Sequence, residues 1–241
     1  MSIDDPGSDP LADGVQFPNE TDEYRQARLT LLDEETELRR RIERVAEQRR
    51  SLPAGGLVPT DYEFEALRTA GPMAGNVEAV RLSDLFSKPE ASLLIYSFMF
   101  GPDMERPCPS CTSILDALDG QVVHVEQRIN FAVVAKSSID RVQAFALERG
   151  WTRLPLLSSA GNTYNADYFG EDPNGNQLPM VNVFERRAGE IRHAYGTEML
   201  FSAWDPGQGP RHVDPLWPLW NLFDFVREGR GEDWNPALNY D

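Results

Sequence analysis

The sequence predicts an α/β protein with a central mixed sheet flanked by helices and one long helix ahead of it. Three observations carry this reading. Ala91-Ser-Leu-Leu-Ile-Tyr-Ser-Phe98 is a nearly continuous apolar run of strand length, which implies burial on both faces. After it, strand-like and helix-like stretches alternate and then give way to a hairpin pattern, the order expected of a sheet covered on both sides. Before it, the stretch from about Glu20 to Arg50 contains neither Pro nor Gly.

Taken in order, residues 1–19 are rich in Asp, Pro and Gly with little apolar content, a composition that cannot repay the entropy of ordering, so a disordered acidic tail is expected. Residues 20–51 read as a long amphipathic helix. Its acidic residues crowd the first half, while Arg39, Arg40, Arg41, Arg44, Arg49 and Arg50 crowd the second, which suits the helix macrodipole. Tyr24, Leu31, Leu38 and Val45 recur every seven residues as a narrow stripe, suited to packing on its own chain or on a dimer mate. Leu52-Pro53-Ala54-Gly55-Gly56 ends that helix, and residues 52–241 read as one α/β domain. Extended pieces near Asp61 to Phe64 and Val77 to Leu82 predict a prefatory hairpin, and Ser83 reads as the cap of a helical turn through Phe86.

Beyond the first core strand, Cys111 to His124 carries apolar residues at helical spacing. Ile129 to Ala135 is a second buried strand, and Ile139 to Arg149 a second helix stopped by Gly150. Leu154 to Leu157 makes a short third strand. Met180 to Glu185 and Glu190 to Ala194 form a hairpin around Arg187-Ala188-Gly189. A final helix is expected from Leu216 to Glu228, stopped by Gly229. Trp220 and Phe223 read as its packed face, whereas Trp204 and Trp217 could line a groove over the active site.

The formal net charge of -16, from 39 acidic against 23 basic residues, argues against general affinity for nucleic acid or anionic membranes. The start has neither the basic residues nor the apolar stretch of a secretory signal. The longest apolar run is far short of the roughly 20 residues a bilayer requires. A cytoplasmic protein is expected, and Asn19-Glu20-Thr21 is then an accidental sequon.

The chain has only two cysteines, Cys108 and Cys111. Two placed at random would fall three apart roughly one time in a hundred, and in a reducing compartment such a pair is explained better by catalysis or metal than by a structural staple. Only a thiolate attacks a disulfide, so a reactive cysteine needs its pKa lowered. Cys108 lies where a loop becomes a helix. Pro109 and Ser110 fill the first helical positions, where a missing amide is harmless and the unpaired amides can hold a sulfur anion. Cys108 is therefore the expected nucleophile, and Cys111, one turn on and more buried, the resolving thiol. A pair that has lost its activity and a metal site are the alternatives. Zinc normally takes four ligands, and His124, His193 and His212 have no paired spacing to supply two more. No metal or other cofactor is expected.

Cys108-Pro109-Ser110-Cys111 after an apolar strand resembles the active site of the thioredoxin superfamily. Leu154-Pro155-Leu156-Leu157-Ser158, Tyr168-Phe169-Gly170 and Gly189-Glu190-Ile191-Arg192-His193 resemble landmarks of its peroxiredoxin branch, in the same order. The long helix with Leu52-Pro53, Phe98-Met99-Phe100-Gly101-Pro102-Asp103 and Gly150-Trp151 resemble more closely still a bacterial thioredoxin-like family, domain-of-unknown-function family 899, over about residues 20 to 200. The resemblance implies a thioredoxin-like fold.

It also divides the branches of the superfamily. Peroxiredoxins place Thr or Ser three residues before the peroxide-attacking cysteine, where this chain has Glu105. They use an Arg shortly before the later hairpin, where this chain has Gln177-Leu178-Pro179. Arg106 is the one nearby cation that could substitute. Pro179 matches the proline that thioredoxin-like proteins hold in cis beside the dithiol, so the resemblance implies a cis bond after Leu178. It makes Leu178, Pro179, Pro109 and Ser110 the substrate-binding residues. Thioredoxin-like reductants also carry a buried carboxylate that moves the second thiol's proton, and residues 91–98 contain none. Asp103 and Glu105 lie near in sequence, and as negative charges would raise a thiol's pKa.

The expected function is a thiol-disulfide oxidoreductase acting on a disulfide-containing protein or a small-molecule thiol. A peroxide reductase and a non-enzymatic binding module are the alternatives, and a homodimer through the N-terminal helix is left open.

Overall fold

The computed structural model describes residues 15–67, 75–231 and 233–240, so the first fourteen residues of the expected tail lie outside the described residues. The chain separates into two compact units after Pro53.

In the first unit, α1 (Asp22–Arg50) starts at Thr21, whose hydroxyl accepts the Tyr24 amide at 3.2 Å. Asp22 and Glu23 occupy its first turn and Arg49 and Arg50 its last, which matches the sign of the helix dipole at both ends. Arg28 stacks over the Phe17 ring at 4.5 Å. Tyr24, Leu31, Leu38 and Val45 are all exposed.

The second unit is built on a seven-stranded sheet. Its strands are β1 (Glu63–Leu67), β2 (Val77–Arg81), β3 (Ala91–Phe98), β4 (Asn130–Ala135), β5 (Leu156–Ser158), β6 (Val181–Arg187) and β7 (Glu190–Gly196), in the spatial order β2-β1-β5-β4-β3-β6-β7. β3, β4 and β5 are parallel, joined through α2 (Pro109–Val125) and α3 (Ile139–Arg149). β6 lies antiparallel to β3 and turns into β7 through Ala188 and Gly189, both at positive φ, as a two-residue hairpin turn requires. A parallel β3-α2-β4 unit extended by an antiparallel β6-β7 hairpin on the β3 side is the thioredoxin-like fold, here enlarged by β5 and the β1-β2 hairpin.

The two faces of β3 pack differently. Leu94, Tyr96 and Phe98 face α2 and α3, in a cluster with Cys111, Ile114, Leu115, Phe145 and Trp151. Leu93 and Ile95 face the other way, against Phe64, Phe184 and the tyrosines around the short α4 (Tyr164–Asp167). α2 is tied to the α3-β5 connection by Asp119, whose Oδ1 accepts the amides of Thr152, Arg153 and Leu154 at 2.9–3.2 Å.

Three expectations need correction. The helical turn is a 3₁₀ turn over Leu82–Leu85 that starts after Arg81, not at Ser83. Ser83 instead donates its amide and hydroxyl to Asp61, at 2.9 and 2.7 Å. The third strand starts at Leu156, because Pro155 has no amide for the ladder and only its carbonyl is used, by the Val133 amide. The last helix is shorter than expected: α5 spans only Pro218–Phe223, and the chain then continues in turns. Leu219 and Trp220 pack on the core, whereas Phe225 and Val226 are exposed, so nothing rewards continuing the helix.

Candidate active site

Cys108 is the N-cap residue of α2, with Pro109 at the first helical position. Its amide donates to the Met99 carbonyl at 3.0 Å, just past the end of β3, and its carbonyl accepts both the amide and the hydroxyl of Thr112. The backbone at the cysteine is thus held by the strand on one side and the helix on the other. The Cys108 sulfur is partly exposed, while Cys111 is buried. The Cys111 thiol, the amides of Cys111 and Ser110 and the Ser110 hydroxyl all favour the charged form of the Cys108 sulfur. Together they outweigh burial and bring the Cys108 thiol down to about 6. Burial pushes the Cys111 thiol up, and the Cys108 sulfur beside it adds to that shift.

The loop in front of Cys108 is held by a residue that the sequence reading passed over. The Arg141 guanidinium reaches from α3 to the Pro102 carbonyl and the Ser137 hydroxyl, both at 2.9 Å, and to the Met104 carbonyl. It also lies 4.7 Å from the Phe100 ring centre. Its only sequence signal is a cation on an otherwise apolar helix face. Arg106 does not face the cysteines, since its guanidinium forks onto the Glu148 carboxylate, at 2.8 Å for the nearer-normal contact, and covers the Phe145 ring. Asp103 and Glu105 are exposed.

Leu178 and Pro179 lie at the entry to β6. Tyr96 pairs with Val181 and the Ser97 amide donates to the Met180 carbonyl, so continuing the register sets Pro179 opposite Phe98, beside the strand end that holds Cys108. The Gln177 side chain packs on Gly101, where a Cβ would come within 2.9 Å of it. The cysteine loop and the 177–179 segment therefore adjoin. The expected cis bond is absent: the described residues contain no cis peptide, and Leu178–Pro179 is trans. The segment is anchored on both sides, with the Leu178 amide donating to Gly170 and the Pro179 carbonyl accepting from His212 Nε2 at 2.9 Å, so no tight turn calls for the costlier isomer.

Trp217 is buried in the α2 cluster and donates its indole N–H to the Ser113 hydroxyl at 3.1 Å, a core residue rather than a groove wall. Trp204 is exposed and lines a small cavity with Met199, Ser202 and Pro210, away from the cysteine loop. A cavity of about 890 Å³ opens on the opposite face of the sheet, lined by Phe169, Met180, Asn182, His193, Met199 and Phe201 among others, and neither cysteine borders it. Burial pushes both His193 and His212 down toward the neutral form. Among the described residues no three His, Cys, Asp or Glu side chains converge as metal ligands, so a metal at this site would find only the two sulfurs.

Tyr96 is the second residue missed. It is fully buried on the α2 face of β3, and its hydroxyl has no hydrogen-bond partner. The alternation of β3 was enough to find it, because a phenol in a buried run must place its O–H somewhere.

Residues 15–240 match the model of a family described as "Bacterial protein of unknown function (DUF899)". No curated protein matches the chain. Among solved structures it is similar to Plasmodium yoelii thioredoxin peroxidase I, at 18% identity and a TM-score of 0.43 over 78% of this chain and 99% of that one. Mycobacterium tuberculosis AhpC follows at 16% identity and a TM-score of 0.43, over 68% and 93%. A mutant of Xanthomonas campestris peroxiredoxin Q stands at 15% identity and a TM-score of 0.42, over 71% of this chain and 99% of that one.

Proposed function

We propose that this chain, which belongs to the DUF899 family of bacterial proteins, is a thiol-disulfide oxidoreductase whose reactive pair is Cys108 and Cys111. The observation that carries the reading is the asymmetry of the two thiols. Cys108 caps a helix, is partly exposed and is brought down to about 6, whereas Cys111 is buried beneath it and pushed up. The first is a thiolate at neutral pH and attacks; the second stays protonated until an adduct forms. Cys108 sulfur attacks one sulfur of a substrate disulfide, forming a mixed disulfide and releasing the other half as a thiolate. Cys111 then gives up its proton and attacks Cys108, closing the Cys108–Cys111 bond and releasing the second half. The substrate is a disulfide-containing protein or small molecule. Pro109, Ser110, Leu178 and Pro179 are assigned to bind that substrate.

Peroxide reduction is less well supported. Glu105 stands where a hydroxyl would assist peroxide, and Arg106 is engaged with Glu148. No helix of the described residues is long and apolar enough to cross a membrane. A cytoplasmic setting belongs to the same proposal, since a chain whose only two cysteines form a reactive pair needs a reducing pool to recharge it. So does a homodimer through α1: its seven-residue apolar stripe and its acidic and basic halves are complementary when two copies run antiparallel.

The test is a redox titration against glutathione, read by alkylation, together with Cys111→Ser. A single two-electron couple and a covalent adduct at Cys108 in the variant are expected. No titratable couple, and a Cys108 that alkylates no faster than a free thiol, would overturn the reading. Survival of partner binding and of phenotype in the double Ser variant would favour the non-enzymatic module.

A further inference from the structure

Resting on the thiol-disulfide reading above, we infer that Tyr96 is a positioning residue for the second thiol: its hydroxyl, unpaired in the resting protein, turns onto the Cys111 sulfur once that sulfur ionises and holds the anion while it resolves the mixed disulfide.

The inference starts from an orphan. Tyr96 has no exposed surface, and its hydroxyl has no hydrogen-bond partner, sulfur included. Buried hydroxyls in folded proteins are nearly always paired, so an unpaired one beside a reactive group calls for an explanation. Leu94, Tyr96 and Phe98 alternate toward α2, and that face carries Tyr96 into the cluster that holds Cys111. The Cys111 sulfur is the group its hydroxyl acts on. Two donors, the Tyr96 O–H and the Met99 main-chain N–H, both favour the charged form of Cys111, against burial and against the Cys108 sulfur.

The influence runs both ways. Burial, reinforced by the charges of Cys111 and Cys108, pushes Tyr96 well above the usual phenol range. The phenol therefore stays neutral and remains a donor at every working pH. β3 brings no carboxylate to this point. A phenol cannot take the Cys111 proton as a carboxylate would, so its role is to hold the anion rather than to make it.

In the step concerned, Cys111 loses its proton to the medium or to the departing group. Its electron pair forms the Cys111–Cys108 bond as the bond from Cys108 to the substrate sulfur breaks, and the substrate leaves as a thiolate that takes up a proton. The Tyr96 O–H bond stays intact throughout; its hydrogen bond is strongest to the anion and weakens once the disulfide has formed.

Tyr96→Phe removes the oxygen and keeps the ring. With a mixed disulfide preformed on Cys108 from a chromogenic aryl disulfide, release of the aryl thiolate reports resolution alone. The expected result is release slowed about tenfold or more at neutral pH, as loss of one hydrogen bond to a charged group implies. In a Cys108→Ser background the Cys111 titration midpoint should rise as well, while the thermal midpoint stays near that of the parent, which a merely structural role would not produce. Should Tyr96→Phe fail to fold, 3-fluorotyrosine placed at 96, a stronger donor of nearly the same shape, should speed release. Unchanged release and an unmoved Cys111 midpoint would overturn the inference. Failure of the underlying reading looks different, because the unmodified protein would then not resolve the adduct at all.

Discussion

The Cys108 amide donates to the Met99 carbonyl at 3.0 Å, so the partly exposed thiol is fixed to the end of β3 while it caps α2. That one bond makes the reactivity of the site a property of the sheet as well as of the helix, and it frames what measurement should find.

Cys108 should alkylate with a pH midpoint near 6, well below the about 8.5 of a free cysteine. A depressed pKa leaves about nine-tenths of it as thiolate at pH 7, so the rate is already near its plateau there and falls as the pH drops through 6. Mass-spectrometric alkylation rates check this. Cys111→Ala should move the midpoint upward, because it removes the side chain that does most to favour the Cys108 anion.

Arg141→Ala should loosen the loop before Cys108. Its charged donors serve the Pro102 and Met104 carbonyls; hydrogen bonds of that kind contribute about 1.5–3 kcal/mol each when buried, and because the Pro102 contact is exposed to solvent a total loss of about 2–4 kcal/mol is expected in urea unfolding. Arg141→Lys should recover only part, because an ammonium cannot fork between carbonyls and cover Phe100 at once.

Asp119→Ala should cost about 2–4 kcal/mol, because it strands three backbone amides in a largely buried site. The melting temperature should fall by about 5–15 °C, read by calorimetry. The Cys108 alkylation profile should be nearly unchanged, since Asp119 anchors the far end of α2.

Leu31→Glu with Leu38→Glu should weaken self-association without unfolding α1. Sedimentation equilibrium should show the parent chain dimeric and the variant monomeric, with helical ellipticity retained. Added salt should weaken the dimer of the parent as well, because antiparallel α1 helices would pair acidic and basic halves at exposed positions. A monomeric parent chain at tens of micromolar would refute the dimer.

By itself the sequence determined the fold class, the run of strands and helices around the cysteines, and the place of Cys108 at a helix start. Those features rest on local pattern: apolar periodicity, a proline at the first helical position, and a stop glycine at Gly150 in the left-handed conformation. It misplaced the last helix because a periodic stripe does not tell whether a core waits to receive it, and Phe225 and Val226 find none. It implied a cis bond before Pro179 by resemblance, whereas the bond is trans and the flanking groups are taken by Gly170 and His212. Tertiary structure alone decided which charges face the thiols. Arg106, two residues from Cys108, turns to Glu148, and Arg141, from the next helix, holds the loop. Tertiary structure also set Tyr96 in the buried cluster that holds Cys111. Sequence distance does not order these groups, because a side chain's environment is made by the neighbours that packing brings to it.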